Sequence, residues 1–171
     1  MQFLVFSDSH GHGDRMLSVI AQHPAIRDIL FLGDGLADLL PLRRRFPEHR
    51  FRTVRGNMDL LAAGFDAPDE DLFELYGVRV FLCHGHLFGV KGGTGVAEAH
   101  ALAAGARVLL YGHTHRAEER YLSEDGLLVV NPGSIGRPQS GDPSYAILDI
   151  LPSGDVAVSH GEVASFFGKR E

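Results

Sequence analysis

The side chains best suited to chemistry in this sequence each follow directly on an apolar run. Asp8 and His10 come after residues 2–7, Asp34 after 28–32, Asn57 after 51–55, His84 after 79–83, and His113 and His115 after 107–111. All seven offer oxygen or imidazole nitrogen and none a thiolate, a set that suits Mn, Fe, Co, Ni or Zn better than a structural cysteine-type zinc. Seven donors exceed the needs of one four-coordinate ion. They match two ions that share a bridging carboxylate, with water filling the remaining positions. Two divalent ions roughly 3.5 to 4 Å apart can polarise a phosphoryl group, lower the pKa of a water between them and orient an in-line displacement, the chemistry of phosphoester hydrolysis by a metal-activated hydroxide.

For these residues to meet, the runs before them must be strands whose carboxyl ends share one rim, as in open α/β sheets that bind ligands beyond the strand ends. Residues 2–7 and 28–32 are apolar and each leads through a loop to a helix. The first helix, 14–22, carries Met16, Leu17, Val19 and Ile20, and the second, 36–45, is kinked or interrupted by Pro41. Beyond Asp71 the pattern changes, with 72–76 and 79–83 reading as a hairpin turned at Gly77. A helix over 94–104 follows the glycine-rich segment 89–95, and 107–111 is a strand. Then come only strands, at 118–122, 127–131, 144–151 and 155–160, separated by Gly-, Pro- and Ser-containing turns. The first half is βα alternation and the second is expected to be largely antiparallel, which two packed sheets with helices outside would satisfy. No linker or repeat interrupts the 171 residues, and with 44% hydrophobic residues one domain over 1–171 is expected.

The order Asp8-x-His10, Gly33-Asp34, Gly56-Asn57, His84 and Gly112-His113-Thr114-His115 resembles the calcineurin-like metallophosphoesterase superfamily, and more narrowly its small bacterial and archaeal phosphodiesterase branch. The matching blocks run from Phe3 to Gly136. The resemblance implies that Asp8, His10 and His115 hold one ion, that Asn57, His84 and His113 hold the other, and that Asp34 bridges them while Asn57 also orients the phosphate. It implies a four-layer α/β/β/α sandwich with two mixed β-sheets, two divalent ions with manganese foremost, and a small phosphodiester as substrate. Asn131-Pro132-Gly133-Ser134 matches a loop of the same branch and is expected to line or brace the site. Many members of the wider superfamily follow the asparagine with a histidine taken as the acid for the leaving group, whereas this chain has Gly56-Asn57-Met58-Asp59. A thioether cannot donate a proton. The small branch also carries a non-histidine residue here, and His86, ahead of His12, is the candidate catalytic side chain in its place.

Other residues have more ordinary readings. Asp38 either orients a histidine from one helical turn past Asp34 or lies on exposed helix surface, the preferred account. Asp59 either braces a ligand or closes a turn. His23, His49, His100 and His160 read as surface histidines and Cys83 as a small buried hydrophobe. Segment 89–95 lacks the Walker pattern, so a connection over the site with Lys91 in solvent is preferred to a phosphate cradle. Arg43, Arg44, Arg45, Arg50, Arg52 and Arg55 form the one basic cluster, read as a solvated face and not a nucleic-acid groove.

Sixteen basic against twenty-two acidic side chains leave a net charge of -6, so no global positive field exists to hold a nucleic acid, and no stable nucleic-acid partner is expected. No apolar stretch approaches the roughly 20 residues of a bilayer-spanning helix, and no secretory signal opens the chain. With a single cysteine, a cytoplasmic protein without a membrane partner is expected. The strand 144–151 and the hairpin 72–83 offer edges through which copies could pair as a homo-oligomer. Two rival functions share the fold: a phosphomonoesterase acting on a small phosphate ester, and a noncatalytic protein-interaction scaffold like a retromer subunit that resembles the family and has lost part of its metal set. The complete donor set argues against the scaffold.

Overall fold

Strands that are apolar at every position can serve only a sheet covered on both faces. A computed structural model of the chain, describing residues 1–59 and 66–163, shows how the first strands use this. In β1 (Gln2–Phe6) and β2 (Asp28–Phe31), Phe3, Val5 and Leu30 face one core while Leu4, Phe6, Ile29 and Phe31 face another. The second of these cores is closed by α1 (Gly13–Gln22), through Met16, Val19 and Ile20 at helical spacing, and by α2 (Leu39–Arg45), through Leu39 and Leu42. The remaining strands are β3 (Arg50–Thr53), β4 (Glu70–Leu75), β5 (Val78–Cys83), β6 (Val108–Leu110), β7 (Ala117–Leu122), β8 (Leu127–Pro132), β9 (Ser144–Ile150) and β10 (Val156–Glu162). They form two five-stranded sheets, ordered β10-β9-β1-β2-β3 and β4-β5-β6-β8-β7. Phe3, Val5 and Leu30 of the first sheet share the central core with Val80, Leu82, Val108 and Leu110 of the second. On the outer face of the second sheet α3 (Gly95–Ala103) presents Ala97 and Ala101, one turn apart, to Phe81, Cys83 and Leu109. The layering is α/β/β/α, as expected.

Several local expectations change. The second half is less antiparallel than its strand-rich sequence implies, because β5, β6 and β8 run parallel and only β4 and β7 oppose their neighbours in that sheet. The crossover through α3 returns the chain to the same end, as a parallel pairing demands. Pro41 does not break a helix. The segment divides ahead of it, into a 3-10 turn at Leu36–Asp38 and then α2, leaving Pro41 in the first turn of α2, where a missing N–H is harmless. The hairpin forms as read, with Leu75 opposite Val78 across Tyr76 and Gly77, whose φ values of 51° and 75° are those of a tight primed turn. The expected pairing edge at 144–151 is not an edge, because β9 lies between β10 and β1. In the basic cluster Arg50, Arg52 and Arg55 pair with Asp28, Asp71 and Asp69 at 2.6, 2.6 and 2.7 Å. No helix among the described residues is long and apolar enough to cross a membrane.

The central core predicts a contrast within the sandwich. Leu30 is 1% exposed and Leu72, on β4, is 41% exposed. Leu30→Ala should destabilise the fold by about 3 kcal/mol, and Leu72→Ala by less than about 1 kcal/mol, in urea unfolding.

Candidate metal centre

The strands β1, β2, β3, β5 and β6 deliver the candidate residues at their carboxyl ends, and the backbone there turns sharply. Asp8, His10, Asp34, His113 and His115 have φ between 43° and 67°, and among the described non-glycine residues only Tyr76 in the hairpin joins them. This left-handed conformation costs an L-residue on the order of 1 kcal/mol, and its clustering outside ordinary turns marks a constructed site.

The turned side chains meet as two groups, Asp8, His10 and His115, and Asp34, His84 and His113, with the donor atoms of each within 4.8 Å of one another. Asp8 Oδ1 lies 3.1 Å from His115 Nε2 and 3.8 Å from His10 Nε2. Asp34 Oδ2 lies 3.4 Å from His84 Nε2 and 3.9 Å from His10 Nε2, so one oxygen reaches a histidine of each group. The Nδ1 of His84 donates to the Leu32 carbonyl at 2.7 Å and that of His115 to the Arg137 carbonyl at 2.5 Å. Each carbonyl thereby leaves the Nε2 lone pair for the site. Asp8 Oδ1, His84 Nε2 and the Asn57 Oδ1 are buried and have no hydrogen-bond partner. Unpartnered buried donors and acceptors of this kind are rare, and these atoms fit two divalent cations.

The loops that carry these residues are tied to one another. Asp8 Oδ2 accepts from Ser7 Oγ at 2.6 Å and from the His113 N–H at 3.0 Å, leaving Oδ1 to the site. Asp59, balanced in the sequence between brace and turn, is a brace: it accepts from the N–H groups of Asp34, Gly35, Leu36 and Gly56 at 2.7 to 2.9 Å. Asp38 is not idle helix surface but holds the His10 loop, accepting from Ser9 Oγ at 2.6 Å and the Gly11 N–H at 2.8 Å. Ser134 Oγ donates to the Asp8 carbonyl at 2.8 Å, and Asn131 Nδ2 to the Gly112 carbonyl at 3.0 Å, so the Asn131 to Ser134 loop braces two ligand-bearing turns. Gly56 is required by closeness: a Cβ there would sit 2.1 Å from Asp34 Oδ1 and 2.4 Å from its nitrogen. The sequence signal for Asp59 was a carboxylate two residues past Asn57 in a tight turn. Nothing local announces the bonds of Asp38, which depend on the packing of two loops.

Electrostatics divides the histidines. The Asp8 carboxylate, 3.1 Å from Nε2, lifts the pKa of His115 above the ordinary imidazole range. Burial pulls His84 down, yet the carboxylates of Asp34, 3.4 Å away, and Asp8 carry it above that range. Burial favours the neutral form of Asp34, but the His84 interaction holds it below the usual carboxylate range. Burial lowers His10, His86 and His113, the last to about 4. His86 belongs to neither donor group; its ring centre lies 5.3 Å from that of His84, and its buried Nδ1 lacks a partner. His12 is the N-cap residue of α1, again in neither group. Met58 is 68% exposed. Of the four expected surface histidines, His23 bonds Tyr145 at 2.9 Å, His160 bonds the Asn131 carbonyl at 2.9 Å, and the His49 side chain is 5% exposed, while His100 is open and pairs with Glu70.

Beside the donor groups a cleft of about 760 Å³ opens against His113 and His115. One wall is residues 90–94 of the 89–95 segment expected as a simple connection, which forms a 3-10 turn at Val90–Gly92. A polar network fixes that wall: Arg120 donates to Thr94, Glu98 and Glu118 at 2.7 to 2.9 Å, and Tyr111 donates to Glu118.

Comparison with known proteins agrees with this architecture. The model of the calcineurin-like phosphoesterase superfamily domain matches residues 1–152. The probable metallophosphoesterase YsnB of Bacillus subtilis is 35% identical over 153 residues, covering 88% of this chain and 85% of that protein. Phosphodiesterase YfcE of Escherichia coli is 33% identical over 172 residues, covering 87% and 88%. Among solved structures, a predicted phosphoesterase from Streptococcus pneumoniae superposes with a TM-score of 0.72 at 26% identity, over 95% of this chain and 97% of that one.

Two expectations follow from the rim. Asp59→Ala should strand four backbone N–H groups, destabilise the fold by about 2 to 4 kcal/mol in urea unfolding and weaken divalent-metal binding. In the metal-free protein, protons on His84 and His115 stabilise the fold below the ordinary imidazole value of 6.5, and that contribution fades as pH rises through their raised values. Metal must displace those protons, so affinity should rise with pH, and calorimetry in buffers of different ionisation enthalpy should detect proton release on metal loading.

Proposed function

The chain belongs to the calcineurin-like phosphoesterase superfamily, and from that premise we propose that it is a dinuclear metal-dependent phosphodiesterase, one domain over residues 1–171. The observation that carries this reading is the single Asp34 oxygen lying 3.9 Å from His10 and 3.4 Å from His84, where a bridging carboxylate is needed. Asp8, His10 and His115 would hold one ion and Asn57, His84 and His113 the other. Oxygen and imidazole donors without sulfur accept Mn, Fe, Co, Ni or Zn, of which manganese is the metal we assign. Two such ions, when bound, neutralise phosphoryl oxygens and acidify water enough to attack phosphorus.

The chain's own residues prepare that chemistry. Asp34 fixes the separation of the donor groups, and the Leu32 and Arg137 carbonyls lock the rings of His84 and His115. Asn57 supplies an unpartnered amide oxygen and orients the phosphate. Burial and the neighbouring His84 hold His86 below the ordinary range, so at neutral pH it meets a leaving oxygen as a neutral hydrogen-bond donor and not as a strong acid. Loss of a general acid costs on the order of 100-fold to 10,000-fold in rate, which favours esters with a good leaving group over alkyl monoesters. The substrate is a small phosphodiester, and we place the protein in the cytoplasm. Self-association is not needed for the site. The exposed edge β4 carries Glu70 and Glu74, and such charges oppose strand pairing between copies.

The test is metal-stripped protein reconstituted separately with Mn, Ni, Co, Zn and Mg, then given an aryl phosphodiester and its matched monoester. About two ions per chain and faster diester cleavage are expected. Asp34→Asn should lose metal and more than about 100-fold in rate. Faster monoester cleavage would install the phosphatase reading, and two bound ions with no turnover of either ester would favour the scaffold.

A further inference from the structure

We propose that the cleft beside His113 and His115 is a subsite for a second anionic group, so that the preferred substrate is a phosphodiester with a further phosphate on the arm that enters it. The proposal rests on the phosphodiesterase reading and names the substrate class of that site. The cleft borders one histidine of each donor group, so a phosphoryl group held between the groups has one ester arm facing it. Its volume, about 760 Å³, accommodates a fragment the size of a nucleotide and far exceeds what a bare phosphate needs.

The charge of the lining gives the chemical class. Lys91, from the Val90–Gly92 turn, and Arg116, from the end of the β6–β7 connection, both line the cleft and are exposed. Neither forms an ion pair with an acid among the described residues. The one carboxylate in the lining, Glu118, is engaged by Tyr111 and by Arg120 at 2.9 Å, so it does not neutralise them. Lys91 lines the same cleft as His113 and His115, which places it beside the reacting centre. In a chain of net charge -6, two uncompensated cations lining the working cleft select an anion. The wall is also held in place, because Val90 is 4% exposed and the Thr94 hydroxyl is clamped between Glu98 and Arg120. Guanidinium and ammonium donors on a fixed frame suit a phosphate better than a neutral sugar or alkyl group.

Two measurements on manganese-reconstituted protein test this. In the first, calorimetry compares adenosine 3′,5′-bisphosphate with adenosine 5′-monophosphate, for the native chain, for Lys91→Gln/Arg116→Gln and for Lys91→Arg. The bisphosphate should bind roughly tenfold or more tightly to the native chain, the gap should close in the double Gln variant, and Lys91→Arg should keep it. In the second, kcat/KM is compared for an adenylyl dinucleotide with and without a 5′-terminal phosphate, and the same preference should appear and vanish. Equal binding of the two nucleotides by the native chain, or a preference that survives in the double Gln variant, overturns the proposal. If no diester is cleaved with any metal while the calorimetric preference depends on Lys91 and Arg116, the phosphodiesterase reading fails and the anionic subsite stands.

Discussion

Two buried carboxylates facing four imidazoles dictate most of what surrounds them. Asp8 is fully buried and Asp34 is 3% exposed, and an uncompensated charge at such depth costs several kcal/mol. Each is compensated on one oxygen only, Asp8 Oδ2 by Ser7 and the His113 N–H, Asp34 Oδ1 by the Met58 N–H at 2.8 Å. The second oxygen of each stays with the histidines. Local chain bonds therefore set the carboxylates' positions while half of their valence remains for a ligand, which is how a rigid scaffold serves an exchangeable ion.

That arrangement explains features of the fold that packing alone does not. Five of the site residues sit in left-handed backbone, a conformation that persists only where surrounding bonds over-determine it. Asp59 supplies three such bonds to the Asp34 turn and a fourth within its own turn, while Asp38 supplies two and Ser134 one to the turns that carry His10 and Asp8. The parallel course of β5 and β6 belongs to the same account. Had β6 run antiparallel to β5, His113 and His115 would have emerged at the far end of the sheet from His84.

Much of the site was legible because its residues announce themselves locally: a polar donor directly after an apolar strand needs no partner to be noticed. Layering was legible too, since Leu4, Val5 and Phe6 in succession require cover on both faces of a sheet. What the chain does not state locally is pairing. β9 and β10 read as further strands of the second half, yet they return to lie beside β1, because strand partners are chosen by core complementarity and not by proximity in sequence. Asp38 and the wall of the cleft escaped for the same reason. A carboxylate that accepts from a loop 27 residues away looks, one residue at a time, like a solvent-exposed helix side chain.

The protonation pattern shows how such a rim can remain folded before any ion arrives. His115 and His84, the two imidazoles whose pKa values are raised, lie nearest the free oxygens of Asp8 and Asp34, at 3.1 and 3.4 Å. One proton on each supplies a counter-charge for each carboxylate. His10 and His113, whose values burial lowers, stay neutral and keep their lone pairs. Protons bound there offset the carboxylates in the metal-free rim, and divalent ions would take over that role. Metal binding at this rim therefore competes with protons at His84 and His115.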